Sequence, residues 1–142
     1  MAELDLFLLC NSFVIDQATN RVSVFDILSE VWPVRFPAVL PSAAAIAYWS
    51  FQESEKELDF QVILRFTPPN ASSSSLAANF VCNRLTMRTM VTMCGIPILK
   101  EGKIKIELLL NGTLCKTSYI EIHAANPSST ERLLLYQNQP MN

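Results

Sequence analysis

The amino-acid sequence predicts an all-β fold, with about seven to nine antiparallel strands packed as a sandwich or a barrel. Three observations lead there. Asn111-Gly112 sits between the alternating runs Lys103–Leu110 and Thr113–Tyr119, the strongest short-range hairpin signal, because both residues of a type I′ turn need positive φ. Leu58, Phe60, Val62, Leu64 and Phe66 alternate with Asp59, Gln61, Ile63, Arg65 and Thr67, the period of a half-buried strand. Short apolar runs separated by turn clusters recur along the chain.

The first strand is expected from Leu4 to Ile15, nearly continuous in apolar character, as in a strand covered on both faces. Asp16-Gln-Ala-Thr-Asn-Arg21 is a turn cluster, and Val22–Leu28 resumes β-branched alternation, giving a hairpin that Ser29-Glu30 ends. Trp32 to Pro41 carries three prolines, each without an amide donor, so it should cross between sheets or run along an edge. Ala43–Phe51 is read as a strand whose small residues let another backbone approach. Glu53–Glu57 is a polar turn, Leu58–Thr67 the clear strand, and Pro68–Ser75 a Ser-rich loop. Leu76–Cys82 and Thr86–Met93 give two further strands before the final hairpin.

Counting outward from Asn111-Gly112 pairs Leu110 with Thr113, Leu108 with Cys115, Ile106 with Thr117 and Ile104 with Tyr119. Glu107 then faces Lys116, an opposite-charge cross-strand pair. After Tyr119 the apolar phase flips, since Ile120 and Ile122 fall on the charged face; a bulge or a second covered face explains that. The expected inward residues are Leu6, Leu8, Val24, Trp49, Phe60, Val62, Leu64, Ile104, Ile106 and Leu108. Residues 1–125 are read as one sandwich domain and 126–142 as a tail or short helix.

Composition sets further bounds. A chain of 142 residues fits one domain, and folding should bury about 68% of the unfolded chain's area. Half the residues are hydrophobic and 17% are charged, with a net charge of -2, which gives no long-range pull toward nucleic acid or anionic membrane. Leu6–Cys10 is too short for a signal-peptide core and follows Glu3 and Asp5 rather than basic residues, so the expected address is cytoplasmic. No run reaches the roughly 20 apolar residues of a membrane helix. Cys10, Cys82, Cys94 and Cys115 have apolar neighbours and no Cys-x-x-Cys or zinc spacing, so they are expected as buried, reduced strand fillers.

No motif marks catalysis. The single histidine, His123, ends the last strand with no nucleophile signature beside it. Glu53/Glu55/Glu57 and Asp16/Asp26 read as solvated turn charges rather than metal or glycosidase carboxylates. Three glycines and no Gly-rich loop leave no phosphate cradle. The expectation is therefore a non-catalytic protein-interaction module without cofactor or metal, partnered by a second copy (a homodimer) or another protein. The candidate contact surface is Trp32, Arg35, Phe36, Val39 and Leu40 on the Pro-rich crossover, with the Ala-rich strand second. The alternative is a β-barrel binding a small molecule or single-stranded nucleic acid, with a pocket between Trp32, Trp49 and Met87, Met90 and Met93; the scattered basic residues disfavour nucleic acid.

The turn Asp16-Gln-Ala-Thr-Asn-Arg21, Ser23 of the second strand, the crossover Phe36-Pro-Ala-Val-Leu-Pro41 and the strand Gly102-Lys-Ile-Lys-Ile106 resemble a family of small bacterial proteins catalogued only as a domain of unknown function. The likeness extends from roughly Leu4 to Ile122. It implies an immunoglobulin-like β-sandwich and brings no activity, cofactor or catalytic residue.

Overall fold

The computed structural model describes residues 2–124; the expected tail, 126–142, lies outside the described residues. Nine strands form two sheets: β1 (Glu3–Ile15), β2 (Val22–Ile27), β3 (Glu30–Val31), β4 (Ala38–Ser50), β5 (Asp59–Thr67), β6 (Ser74–Val81), β7 (Thr86–Ile98), β8 (Gly102–Leu110) and β9 (Thr113–Ile122). One sheet has the order β2-β1-β4-β7 and the other β3-β9-β8-β5-β6. The two sheets do not close into a barrel. The fold is a β-sandwich, at the upper end of the expected strand count, and the alternative barrel does not form. All pairings are antiparallel except that of β3 with β9.

The core follows from strand alternation. Phe60, Val62, Leu64 and Phe66 of β5 and Ile104, Ile106, Leu108 and Leu110 of β8 are buried, while Lys103 and Lys105 stay exposed. Facing them are Ala43, Ala45, Ala47 and Trp49 of β4, with Leu9, Met93, Ile96 and Ile98 in the same cluster. Trp49 is fully buried, and its indole N–H donates to Thr89 Oγ1 at 2.9 Å, so the polar end of the ring is satisfied. On the outer face of β4, Cys10, Ala44 and Ile46 form a second buried cluster under Phe13, Val22, Val24, Tyr48 and Met90. It is thus β4, rather than β1, that is covered on both faces. The helix propensity of these alanines is overridden, because their small side chains are what a doubly covered strand accommodates.

Several expectations are corrected by irregular residues. In β1 the register shifts between the pairs Leu4–Trp49 and Leu6–Tyr48, leaving Asp5 as the extra residue. Leu4, Phe7 and Leu9 therefore pack toward the second sheet, and Leu6 is exposed rather than inward. Leu8 is half-buried, and Val24 belongs to the outer cluster rather than the core between sheets. In the last hairpin the Asn111-Gly112 turn is formed, with φ of 49° and 81° and Leu110 opposite Thr113. A bulge then follows at once. Leu109 pairs with Leu114 and Leu108 with Lys116, so Cys115 is the extra residue. That bulge shifts every later pair by one and turns Ile120 and Ile122 into the core, which accounts for the phase flip. It also removes the expected Glu107–Lys116 pair: Glu107 faces Thr117 and bonds Arg65 of β5 at 3.0 Å instead.

The Pro-rich segment does cross between sheets, from β3 to β4. Strand β4 begins earlier than expected and includes Pro41. Proline is tolerated there because β4 pairs with β1 only from Ala44 onward, and Pro41 is skipped in the β7 register between Leu40–Ile96 and Ser42–Cys94.

Candidate functional site

The described residues bury no polar or charged side chain in the core, so chemistry and recognition lie at the surface. The densest group of chemical side chains sits where β3 meets β9. The parallel register places Glu30 opposite Glu121 and Val31 opposite Ile122, and the backbone N–H of His123 donates to Val31 O at 3.0 Å. Alternation then brings Glu30 and Trp32 onto the same side as Glu121 and His123. The His123 ring stacks on Trp32 with centroids 4.3 Å apart and planes 23° from parallel. His123 Nε2 lies 3.1 Å from Glu30 Oε2 and 3.5 Å from Glu121 Oε2. Lys103, opposite Glu121 on β8, reaches its other oxygen only at 4.0 Å. One imidazole nitrogen and two carboxylate oxygens, all within 4.8 Å of one another, are donors of metal-ligand type.

Of the crossover residues named from sequence, the structure keeps only part at the surface. Val39 is 61% exposed, Arg35 is exposed, and the neighbouring Val34 is 81% exposed. Leu40 is 7% exposed and belongs to the core, because it lies on the inward side of β4; it is not available for contact. Phe36 packs against the same core, and Trp32 is covered on one face by His123. The Ala-rich strand is likewise excluded as a surface, since Ala43 to Ala47 are all buried.

The expected pocket between Trp32, Trp49 and the methionines does not form, because Trp49 and Met93 are buried in the core. A shallow cleft of about 460 Å³ opens elsewhere, lined by Tyr48, Met87, Met90, Arg84 and Arg88. Arg88 is already engaged, donating to Asn20 O and Oδ1 at 3.1 Å each and so clamping the β1–β2 turn to β7. Two of the four thiols also depart from expectation. Cys10 and Cys82 are buried, but Cys94 and Cys115 are exposed, the latter because the bulge turns it out of the core phase.

The four sheet edges differ in how they are protected. β3 has two residues. β2 is broken by Asp26 at φ 53°, and β7 carries Gly95 at φ 68°, Pro97 and the charged Arg88. β6 has none of these devices. Its eight residues, Ser-Ser-Leu-Ala-Ala-Asn-Phe-Val, include no charge, proline or glycine, and pair with β5 without a register break. All but Phe80 are exposed. Leu76 and Ala78 pair with Leu64 and Val62, so they point to the inward side of the sheet, yet they are exposed where the four-stranded sheet no longer covers them.

The turn at Asp16, the Pro-rich crossover and the bulged last hairpin all fall inside the span matched by one family model, residues 5–123. The chain belongs to DUF6941, a family of unknown function. The match thus runs from within β1 through β9 and ends at His123. No curated protein matches the chain.

The sequence reading singled out Trp32 and His123 separately and missed Glu30 and Glu121. The available signal was Glu121-Ile-His123, two donors one residue apart on a strand and hence on one face. Glu30 could not be found that way, since only the parallel β3–β9 pairing delivers it.

Proposed function

We propose that this DUF6941 chain is a non-catalytic interaction module that self-associates, and that the contact is an edge-to-edge pairing of β6 with β6 of a second copy. The observation that supports this is the β6 edge, which no other strand among the described residues covers. An uncovered strand presents a row of free N–H and C=O groups, and natural sheets blunt such edges with charge, proline, bulges or brevity. The other three edges carry such devices and β6 carries none. Two β6 strands can pair antiparallel about a two-fold axis near Ala77 and Ala78, where the small side chains create no clash and no like charges meet. Leu76, exposed on the overhanging inward side, would be covered at the same time.

The setting proposed for the module is the cytoplasm, where its four free cysteines would remain reduced. No helix of the described residues is long and apolar enough to cross a membrane. The test is sedimentation of the full chain at micromolar concentration. A dimer is expected, and Ala77→Lys with Asn79→Lys should shift it to monomer. Both side chains are exposed, so the fold should survive. A wild-type monomer, or a dimer indifferent to the lysines, overturns the proposal.

A further inference from the structure

We propose that Glu30, Glu121 and His123 form a binding site for a divalent first-row transition-metal ion of the zinc class. The geometry is the first argument. Zinc holds imidazole nitrogen and carboxylate oxygen at about 2.0–2.2 Å, which sets neighbouring tetrahedral ligands about 3.3 Å apart. The separations from His123 Nε2 to the two carboxylate oxygens, 3.1 and 3.5 Å, bracket that value. The two carboxylate oxygens close the triangle within 4.8 Å of one another, on side chains that are exposed and free to adjust.

The second argument is electrostatic. Glu30 and Glu121 are directly opposed on neighbouring strands, an arrangement of like charges that is unfavourable without a cation between them. Lys103 stands at 4.0 Å from the far oxygen of Glu121 and cannot serve both carboxylates. It is drawn instead toward the Tyr119 ring, 5.6 Å from its centroid. A doubly charged ion between the three donor atoms neutralises both acids.

The third argument is orientation. Trp32 lies flat against the imidazole and fixes the plane of its ring, so Nε2 is held toward the carboxylates. An imidazole beside the carboxylates favours zinc, copper, nickel or iron over calcium or magnesium, which take oxygen ligands. Three protein donors also leave a fourth position open on the solvent side, as in zinc sites that bind an exchangeable ligand. This site is on the β3 side of the five-stranded sheet, whereas β6 is its other edge, so the metal site and the self-association proposal stand or fall separately.

The test uses the full chain with Cys94→Ser and Cys115→Ser, which removes the exposed thiols as competing ligands. Calorimetric titration with zinc chloride should show one equivalent per chain and raise the melting temperature. His123→Gln, and separately Glu30→Gln with Glu121→Gln, should weaken zinc binding at least tenfold while leaving the zinc-free melt cooperative. Nickel should quench the emission of Trp32, which rests on the ligating ring, and Trp32→Phe should abolish that quench while zinc still binds. The proposal is overturned by an absence of stoichiometric zinc binding, by affinity unchanged in both variant sets, or by equal competition from calcium, which marks diffuse acidic attraction only.

Discussion

Glu107 shows how a single residue's environment sets its chemistry. Its carboxylate accepts from Arg65 Nε at 3.0 Å, with Lys105 at 3.9 Å, and this hydrogen bond, more than the accompanying charge attraction, holds its pKa below the ordinary 4.5. A depressed folded-state pKa contributes stability above the unfolded value, and that stability is lost as pH falls through the folded one. Wild type should therefore melt above Glu107→Gln at neutral pH, and the gap should narrow as pH falls below the ordinary carboxylate range and through the lowered folded-state pKa; a gap that persists in strong acid would show that the carboxylate's charge is not what matters. Phe60 belongs to a different class. It is buried against Phe51 and Phe80, with centroids at 4.8 and 5.7 Å. Phe60→Ala should cost about 3–5 kcal/mol in denaturant unfolding, and a loss below about 1 kcal/mol would contradict its core placement. Phe60 was legible in the sequence because its strand alternates without interruption. Leu6 and Leu40 were not: one is displaced by the Asp5 bulge, the other sits in a proline-rich run that gave no hint of strand.

At the scale of elements, the last hairpin separates what local sequence encodes from what it leaves open. The turn is encoded by Asn111-Gly112, whose positive φ values few other pairs accept, and Asn111 Oδ1 further accepts from Gln61 N at 2.8 Å. Nothing crowds the position of a Cβ on Gly112, so Gly112→Ala should lose only the left-handed backbone preference, about 1–2 kcal/mol in thermal or chemical unfolding. A larger loss would mean a steric role. The bulge at Cys115 was visible only as the downstream phase flip of Ile120 and Ile122, which told that a residue was extra but not which one. Its position has a direct consequence for the thiols. Cys94 should label quickly in native protein and exposed Cys115 more slowly, since burial pushes its thiol pKa up, while buried Cys10, whose pKa burial also raises, and Cys82 should label only after unfolding. Four equal rates would contradict the bulge assignment.

For the whole molecule, the two-layer order follows from alternation and turn placement, whereas the proposed sites follow from pairings between segments far apart in the chain. The Trp32–His123 stack and the Glu30–Glu121 opposition exist because β3 runs parallel to β9. A two-residue strand carries no periodicity to read. The open edge of β6 is likewise a property of sheet order: its sequence reads as an ordinary strand, and only its place at the end of the five-stranded sheet leaves one side unpaired. The self-association proposed for that edge is tested most directly by hydrogen exchange across a dilution series. Those amides within Ser74–Val81 that point away from β5 should be protected at high protein concentration and lose that protection on dilution, while the β5-facing amides of β6 and those of β8 remain protected throughout. Exchange of the outward-pointing β6 amides that is fast at every concentration, or protected equally at all of them, would contradict pairing between copies.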